Sequence, residues 1–173
     1  MYKINDNYLR KESFEQISNH MMSPHMPWYF QEHCGNTDNE PFFSHAFYDG
    51  MKVLSPLYEQ IIHEILEQLD AVTVYNVRGN LYCRTGKKEK CAKHIDAEYD
   101  KTIGKTSILY INTNNGGTKL HIKGKKPVFI ESIANRLVTF DSNIEHQACW
   151  QTDTKTRVLI NFNYIMDKQC SNM

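Results

Sequence analysis

A mainly β chain with N-terminal helices is what the sequence predicts, and three observations predict it. Eight runs rich in Val, Ile, Thr, Tyr and Phe follow one another at roughly ten-residue intervals between 71 and 165. Turn residues separate them, as at Asn114-Asn115-Gly116-Gly117 and Asp141-Ser142-Asn143. Helical periodicity is confined to the part of the chain before Asp70. This is the spacing of a sandwich, barrel or jelly roll, and it does not fit alternating βαβ units.

The elements follow in order. A short helix is expected over 11–21, and Pro24, Pro27, Gly35 and Pro41 then break 23–48 into a turn-rich segment. From Ser55 the period is helical: Ser55 caps, Pro56 suits the first position, and Leu57, Ile61, Ile62, Ile65, Leu66 and Leu69 form one apolar face of a helix over 55–69. The expected strands are 71–77, 79–84, 105–112, 116–122, 127–133, 135–140, 146–150 and 156–165. There is no internal repeat.

Composition narrows the function. At 173 residues the chain suits one domain, and its 20 basic and 20 acidic side chains cancel, so no global field draws it to nucleic acid or anionic lipid. No run approaches the roughly 20 apolar residues of a membrane span. The opening MYKINDNYLRKESF lacks the apolar centre of a secretory signal, so the expected location is the cytoplasm. The five cysteines (34, 83, 91, 149 and 170) form no C-x-x-C pair and are expected as thiols. Cys83, Cys91 and His94 match no zinc-finger or ribbon spacing. His20, His25, His33, His45 and His63 lack ligand spacing and read as surface or hydrogen-bonded residues.

One short stretch carries chemistry. In an extended segment residues i and i+2 share a face, so His94 and Asp96 can reach one ion while Ile95 points away. His146, fifty positions after Asp96 at the head of a strand, is the best third ligand. Two histidines and one carboxylate are the facial set that non-haem Fe(II) oxygenases use, leaving positions open for co-substrate and oxygen. Eleven residues later, Arg157 opens another strand that can run beside the His146 strand. There its planar fork can hold a carboxylate in two parallel hydrogen bonds; the bland alternative is a surface arginine on an edge strand.

On four ordered motifs the chain resembles the Fe(II)- and 2-oxoglutarate-dependent oxygenases, and within them the prolyl 4-hydroxylase-like branch with its small phage-encoded members. The motifs are His94-Ile95-Asp96, SILYINTNNGGTKL (107–120), NRLVTFDSNIEH (135–146) and TRVLINFNY (156–164), with NDNYLRKESFEQI and PWYFQ near the start. The resemblance implies a double-stranded β-helix, a jelly-roll or cupin-like fold, with the whole chain 1–173 as a single oxygenase domain. Residues 1–70 are then an N-terminal helical support and 71–166 the core. It implies iron on His94, Asp96 and His146, and Arg157 with Tyr110 and Tyr82 on 2-oxoglutarate. Dioxygen is the second co-substrate and ascorbate an optional reductant. Ser107 and Thr139 read either as pocket residues or as satisfied strand hydroxyls.

The favoured substrate is a prolyl residue of a peptide or protein, in the cytoplasm of a host cell if the source is a phage. The alternatives are the same chemistry on a free amino acid, small metabolite or nucleobase, or a catalytically silent cupin-like binding module. Lys87, Lys88, Lys90 and Lys93, with Lys119, Lys123, Lys125 and Lys126, can form a basic rim suited to an acidic peptide; nucleic acid is the less favoured partner. Oligomeric state is not legible.

Overall fold

A computed structural model describes residues 1–33, 41–86, 90–96 and 104–166. Two antiparallel sheets face each other. The large sheet is built on β5 (Ala71–Cys83), β11 (Thr156–Met166), β6 (Gly104–Tyr110) and β9 (Leu137–Asp141), in that order. The small sheet runs β10 (Glu145–Cys149), β7 (Gly117–His121), β8 (Val128–Glu131), and residues 90–94 lie along the free edge of β10 through bridges Lys90 to Cys149 and His94 to His146. From β5 onward the chain alternates between the sheets, singly or as the β7–β8 hairpin, which is the winding of a double-stranded β-helix.

Strand alternation divides the interior in two. The even positions Val158, Ile160, Phe162 and Tyr164 of β11 pack with Val77, Leu109 and Leu137 against the helices α1 (Lys11–Met21), α2 (Tyr58–Ile61) and α3 (His63–Gln68). Its odd positions Arg157, Leu159, Asn161 and Asn163 turn to the other side, where Leu159 joins Ile108, Tyr110, Leu120, Val138, Phe140 and Trp150 between the sheets. A strand buried on both faces reads as a nearly unbroken apolar run, as VLINFNYI does.

Three expectations need correction. The 71–77 and 79–84 runs are one strand, because Gly79 is a close approach and not a break. A Cβ there would lie 2.9 Å from Met21 Cε and 3.3 Å from the rings of Phe47 and Trp28, so only glycine lets α1 settle on β5. The segment expected to be turn-rich holds strands β2 (Tyr29–Gln31) and β3 (Phe42–Asp49), and β1 (Tyr2–Asn5) and β4 (Lys52–Val53) flank it. β1 pairs with β9, and β3 with β5, so the N-terminal region widens the large sheet at both edges as well as supplying helices. The expected 55–69 helix is two short helices. They meet at Ile62, where the turn tightens: Ile65 N–H donates to the Ile62 carbonyl three residues back at 3.1 Å, and Ile61 and Ile62 are both buried. Ser55 does not cap α2; its hydroxyl bonds His45 Nε2 at 2.7 Å and accepts from Leu57 N–H.

Cys91 is disulfide-bonded, against the expectation of thiols throughout, whereas Cys83 is a thiol. Spacing alone carries no information on which cysteines the fold brings together. Among the described residues no helix is long and apolar enough to cross a membrane.

Candidate metal centre

The pairing of residues 90–94 with β10 explains how ligands fifty positions apart meet. His94 and His146 are direct partners, each backbone N–H donating to the other's carbonyl at 2.9 Å, and their rings stand 4.6 Å apart between centroids. Asp96, two residues on, returns to the same side. His94 Nε2 and His146 Nε2 each lie 3.5 Å from Asp96 Oδ1, and the three ligand atoms fall within 4.8 Å of one another.

The second contacts of each group fix its chemistry. His94 Nδ1 lies 3.0 Å from the Ala92 carbonyl and His146 Nδ1 3.2 Å from that of Ile144. A carbonyl can only accept, so both Nδ1 atoms carry a proton and both Nε2 atoms face inward, each able to hold a second proton shared with Asp96 or to give its lone pair to a metal, the arrangement metal-bound histidines show. Asp96 Oδ2 accepts from Asn161 Nδ2 at 2.7 Å, which leaves Oδ1 as the inward oxygen. Burial opposes ionisation of Asp96, but the charge and hydrogen bond of His146, with the hydrogen bonds of His94 and Asn161, outweigh it and hold the carboxyl well below the usual carboxylate range. For His94 burial pulls downward, and the Asp96 carboxylate and the Ala92 carbonyl more than reverse it. Two imidazole nitrogens and one carboxylate oxygen, converging with their other atoms occupied, fit a divalent first-row metal.

The triad lines a cavity of about 330 Å³ between the sheets. Register across β5 and β11 sets its floor: Tyr82 faces Arg157, Asn80 faces Leu159, and Arg78 faces Asn161. Arg157 is fully buried. Its Nη2 donates to Thr118 Oγ1 at 3.3 Å, and among the described residues its Nε and Nη1 have no hydrogen-bond partner. Its guanidinium carbon lies 5.0 Å from the Tyr82 ring centroid and 5.7 Å from that of Tyr110. A buried cation without a counter-ion costs several kcal/mol unless something anionic meets it, so the site as built suits a ligand carboxylate.

The sequence candidates fall as follows. His94, Asp96, His146, Arg157 and Tyr82 all line the one cavity. Tyr82 also stacks on Phe42 at 5.5 Å and meets Trp150 edge-on at 4.9 Å. Tyr110 is buried outside that lining and donates its hydroxyl to Thr118 Oγ1 at 2.8 Å. Burial pushes both phenols up, so both keep their protons. Ser107 and Thr139 bond each other at 2.7 Å, with Ser107 also 2.9 Å from Tyr164 Oη, and neither lines the cavity: they are satisfied strand hydroxyls. Of the rim lysines, Lys87 and Lys88 lie outside the described residues, and none of the other six lines the cavity.

Sequence reasoning missed Asn161, Thr118, Asn80, Arg78 and His33, all of them lining residues. Asn161 was within reach of it, since it stands four positions after Arg157 and so on the same strand face. Arg78 and Asn80 share the face of Tyr82 by the same rule.

No protein-family model matches the chain, and no curated protein matches it. Solved structures do. A Pseudomonas putida prolyl-4-hydroxylase is 11% identical, with a TM-score of 0.70 over 96% of this chain and 92% of that one. A Trichoplax adhaerens prolyl hydroxylase, solved with a hypoxia inducible factor oxygen degradation domain peptide, is 15% identical, with a TM-score of 0.68 over 99% of this chain and 87% of that one. The epimerase SnoN from nogalamycin biosynthesis, solved with Fe3+, alpha ketoglutarate and nogalamycin RO, is 10% identical, with a TM-score of 0.66 over 95% of this chain and 78% of that one. At these identities the likeness is one of fold.

Proposed function

We propose that the protein is a non-haem Fe(II)- and 2-oxoglutarate-dependent dioxygenase that hydroxylates a C–H bond, with the whole chain 1–173 as one oxygenase domain. The observation that carries this reading is the pairing of two features in one cavity: three converging ligand atoms, and a fully buried guanidinium with two nitrogens that have no hydrogen-bond partner among the described residues. A cup for a metal alone would not need Arg157, and a carboxylate site alone would not need the triad.

In this reading His94, Asp96 and His146 hold Fe(II), and Arg157 binds the far carboxylate of 2-oxoglutarate. Thr118, which accepts from both Arg157 and Tyr110, couples the phenol to that carboxylate site. Tyr82 packs beneath the guanidinium and keeps water from it. Iron, 2-oxoglutarate and dioxygen together supply the oxidation, one oxygen atom going to the substrate carbon and the other to succinate, with release of carbon dioxide. The protein's part is placement: both histidines are locked through Nδ1, and the carboxylate through Asn161, so that the three residues that would hold the metal present their ligand atoms to the cavity.

A prolyl residue of a peptide or protein is the favoured substrate. It is supported by the motif resemblance to the prolyl 4-hydroxylase-like branch and its small phage-encoded members, and by the fold shared with two prolyl hydroxylases. A small-molecule substrate is the second reading, favoured by the comparable likeness to SnoN, a small-molecule enzyme. Hydroxyproline found by mass spectrometry after incubation with proline-containing peptides separates the two.

The class is tested by anaerobic calorimetric titration of the Mn(II)-loaded protein with 2-oxoglutarate. Binding is expected only with metal present, and Arg157→Ala is expected to weaken it by about 30-fold or more, the loss that follows truncation of one partner of a buried charge pair. Mn(II) affinity should persist in that variant as the check on folding. No metal-dependent binding in the wild type sinks the oxygenase reading and leaves a silent cupin-like binding module.

A further inference from the structure

Arg78 is a second cation in the cavity, and nothing above uses it. It lies on β5, two residues before Asn80 and four before Tyr82, on the face these residues share. Its guanidinium carbon rests 5.8 Å from the Phe42 ring centroid, and its Nε is shielded from solvent with no hydrogen-bond partner among the described residues. Among the described residues no carboxylate pairs with it, and two residues along, Asn80 Oδ1 is also buried with no hydrogen-bond partner. A buried donor, Arg78 Nε, and a buried acceptor, Asn80 Oδ1, therefore stand on one strand face without partners among the described residues, and both residues line the same space. Leaving such groups buried and unmade is costly, so a ligand that meets both is favoured.

Position and charge say which ligand. Arg78 is in register with Asn161, whose amide holds Asp96, so it stands at the level of the triad. Arg157 lies four residues further along β11, roughly 13 Å away at the rise of a strand. A co-substrate running from the triad to Arg157 extends away from Arg78. Among the described residues, the formal charges lining the cavity are Arg78, Arg157 and Asp96. A divalent ion is balanced by a dianionic co-substrate, and Arg157 by Asp96, which leaves the charge of Arg78 for the substrate to balance.

We infer that Arg78 binds a carboxylate of the substrate and Asn80 an N–H beside it, so that the site takes an amino-acid-type acid close to the carbon that reacts. This rests on the oxygenase reading. The carboxylate is that of a free amino acid or of an acidic side chain next to the reacting residue of a peptide.

The test is binding, measured by calorimetry on Mn(II)-loaded protein saturated with 2-oxoglutarate, for two matched probe pairs: L-proline against L-prolinamide, and a blocked Gly-Glu-Pro-Gly peptide against Gly-Gln-Pro-Gly. One acid is expected to bind about tenfold or more tightly than its neutral partner, the worth of a charge-assisted hydrogen bond. Which pair shows the preference identifies the source of the carboxylate. Arg78→Gln should reduce the ratio to within twofold and Arg78→Lys should keep most of it, with 2-oxoglutarate affinity unchanged in both. Equal binding within both pairs, no saturable binding of either acid, a preference that survives Arg78→Gln, or loss of 2-oxoglutarate affinity in that variant each overturns the inference. Wild-type protein that fails to bind 2-oxoglutarate at all marks failure of the oxygenase reading instead.

Discussion

Replacing Asn161 with alanine isolates how much the surroundings of the triad contribute to metal binding. The Asn161 amide donates to Asp96 Oδ2 at 2.7 Å, and the Asp96 side chain is only 7% exposed, so water cannot take over the bond. A hydrogen bond to a charged group contributes about 1.5–3 kcal/mol. That sets the expected cost to the metal-free fold, a fall in melting temperature of roughly 3–12 °C for a chain of this size. The bond persists when a metal binds through Oδ1, so its full value does not enter metal affinity; what is lost is the orientation of the carboxylate. Removal of such an outer contact weakens metal binding by about 10–100-fold. Titration of Mn(II) followed by electron paramagnetic resonance of the free ion reads this directly. Asn163→Ala serves as the control, because the Asn163 oxygen accepts from Thr106 at 2.8 Å and its amide reaches Asn161 only at 3.5 Å. It should lower stability and change Mn(II) affinity far less than Asn161→Ala does, because its bond to Asn161 is long and it does not touch Asp96. A folded Asn161→Ala protein with wild-type Mn(II) affinity would refute the assignment of Asp96 as an oriented ligand.

Two further outcomes follow from the structure. Gly117→Ala would set a methyl 2.2 Å from the Ile130 carbonyl oxygen and 2.8 Å from the Phe129 ring, forcing β7 from β8. Overpacking of this kind costs about 1–3 kcal/mol, and a thermal melt unchanged within a degree would show that the hairpin gives way freely. Asp6 is held below its ordinary value by the hydrogen bonds of Arg136, Nε to Oδ1 at 2.5 Å and Nη2 to Oδ2 at 2.9 Å. Its folded value lies below its unfolded one, so its contribution is full above about pH 4 and fades as pH falls through the folded value. The stability gap between wild type and Asp6→Asn, measured by urea unfolding, should therefore close in acid; a gap independent of pH would show that the pair is not ionic.

The fold was legible wherever one period dominates. The runs after Asp70 alternate or stay apolar throughout, and six of the eight appear as separate strands within a few residues of their expected bounds. The other two merged because Gly79 signals a break in composition and a close approach in space, and one sequence cannot separate these meanings. β1 and β2 were hidden for a different reason: each has three or four residues, largely exposed, and pairing with a distant strand makes it a strand. In the site, the motif named groups of one chemical type at a fixed spacing, and those groups converge on one cavity. Asn161 and Arg78 share a strand face with Arg157 and Tyr82, but their roles, like that of Thr118, arise from register between strands far apart in sequence. Tyr110 was singled out by motif and is buried just outside the cavity lining, with its hydroxyl donating to Thr118, the residue that also accepts from Arg157.

The parity of β11 has a consequence for how such a protein changes over generations. Even positions hold the helices to the sheet, and odd positions carry Arg157 and Asn161. Point substitutions on the odd side can therefore drift toward a new ligand while the scaffold keeps its packing, and the two sets of mutations should combine almost independently. A single inserted residue has no such freedom. It would exchange the two faces at once, burying asparagine against the helices and isoleucine against the metal. Within this strand, adaptation is open to substitution and closed to insertion or deletion.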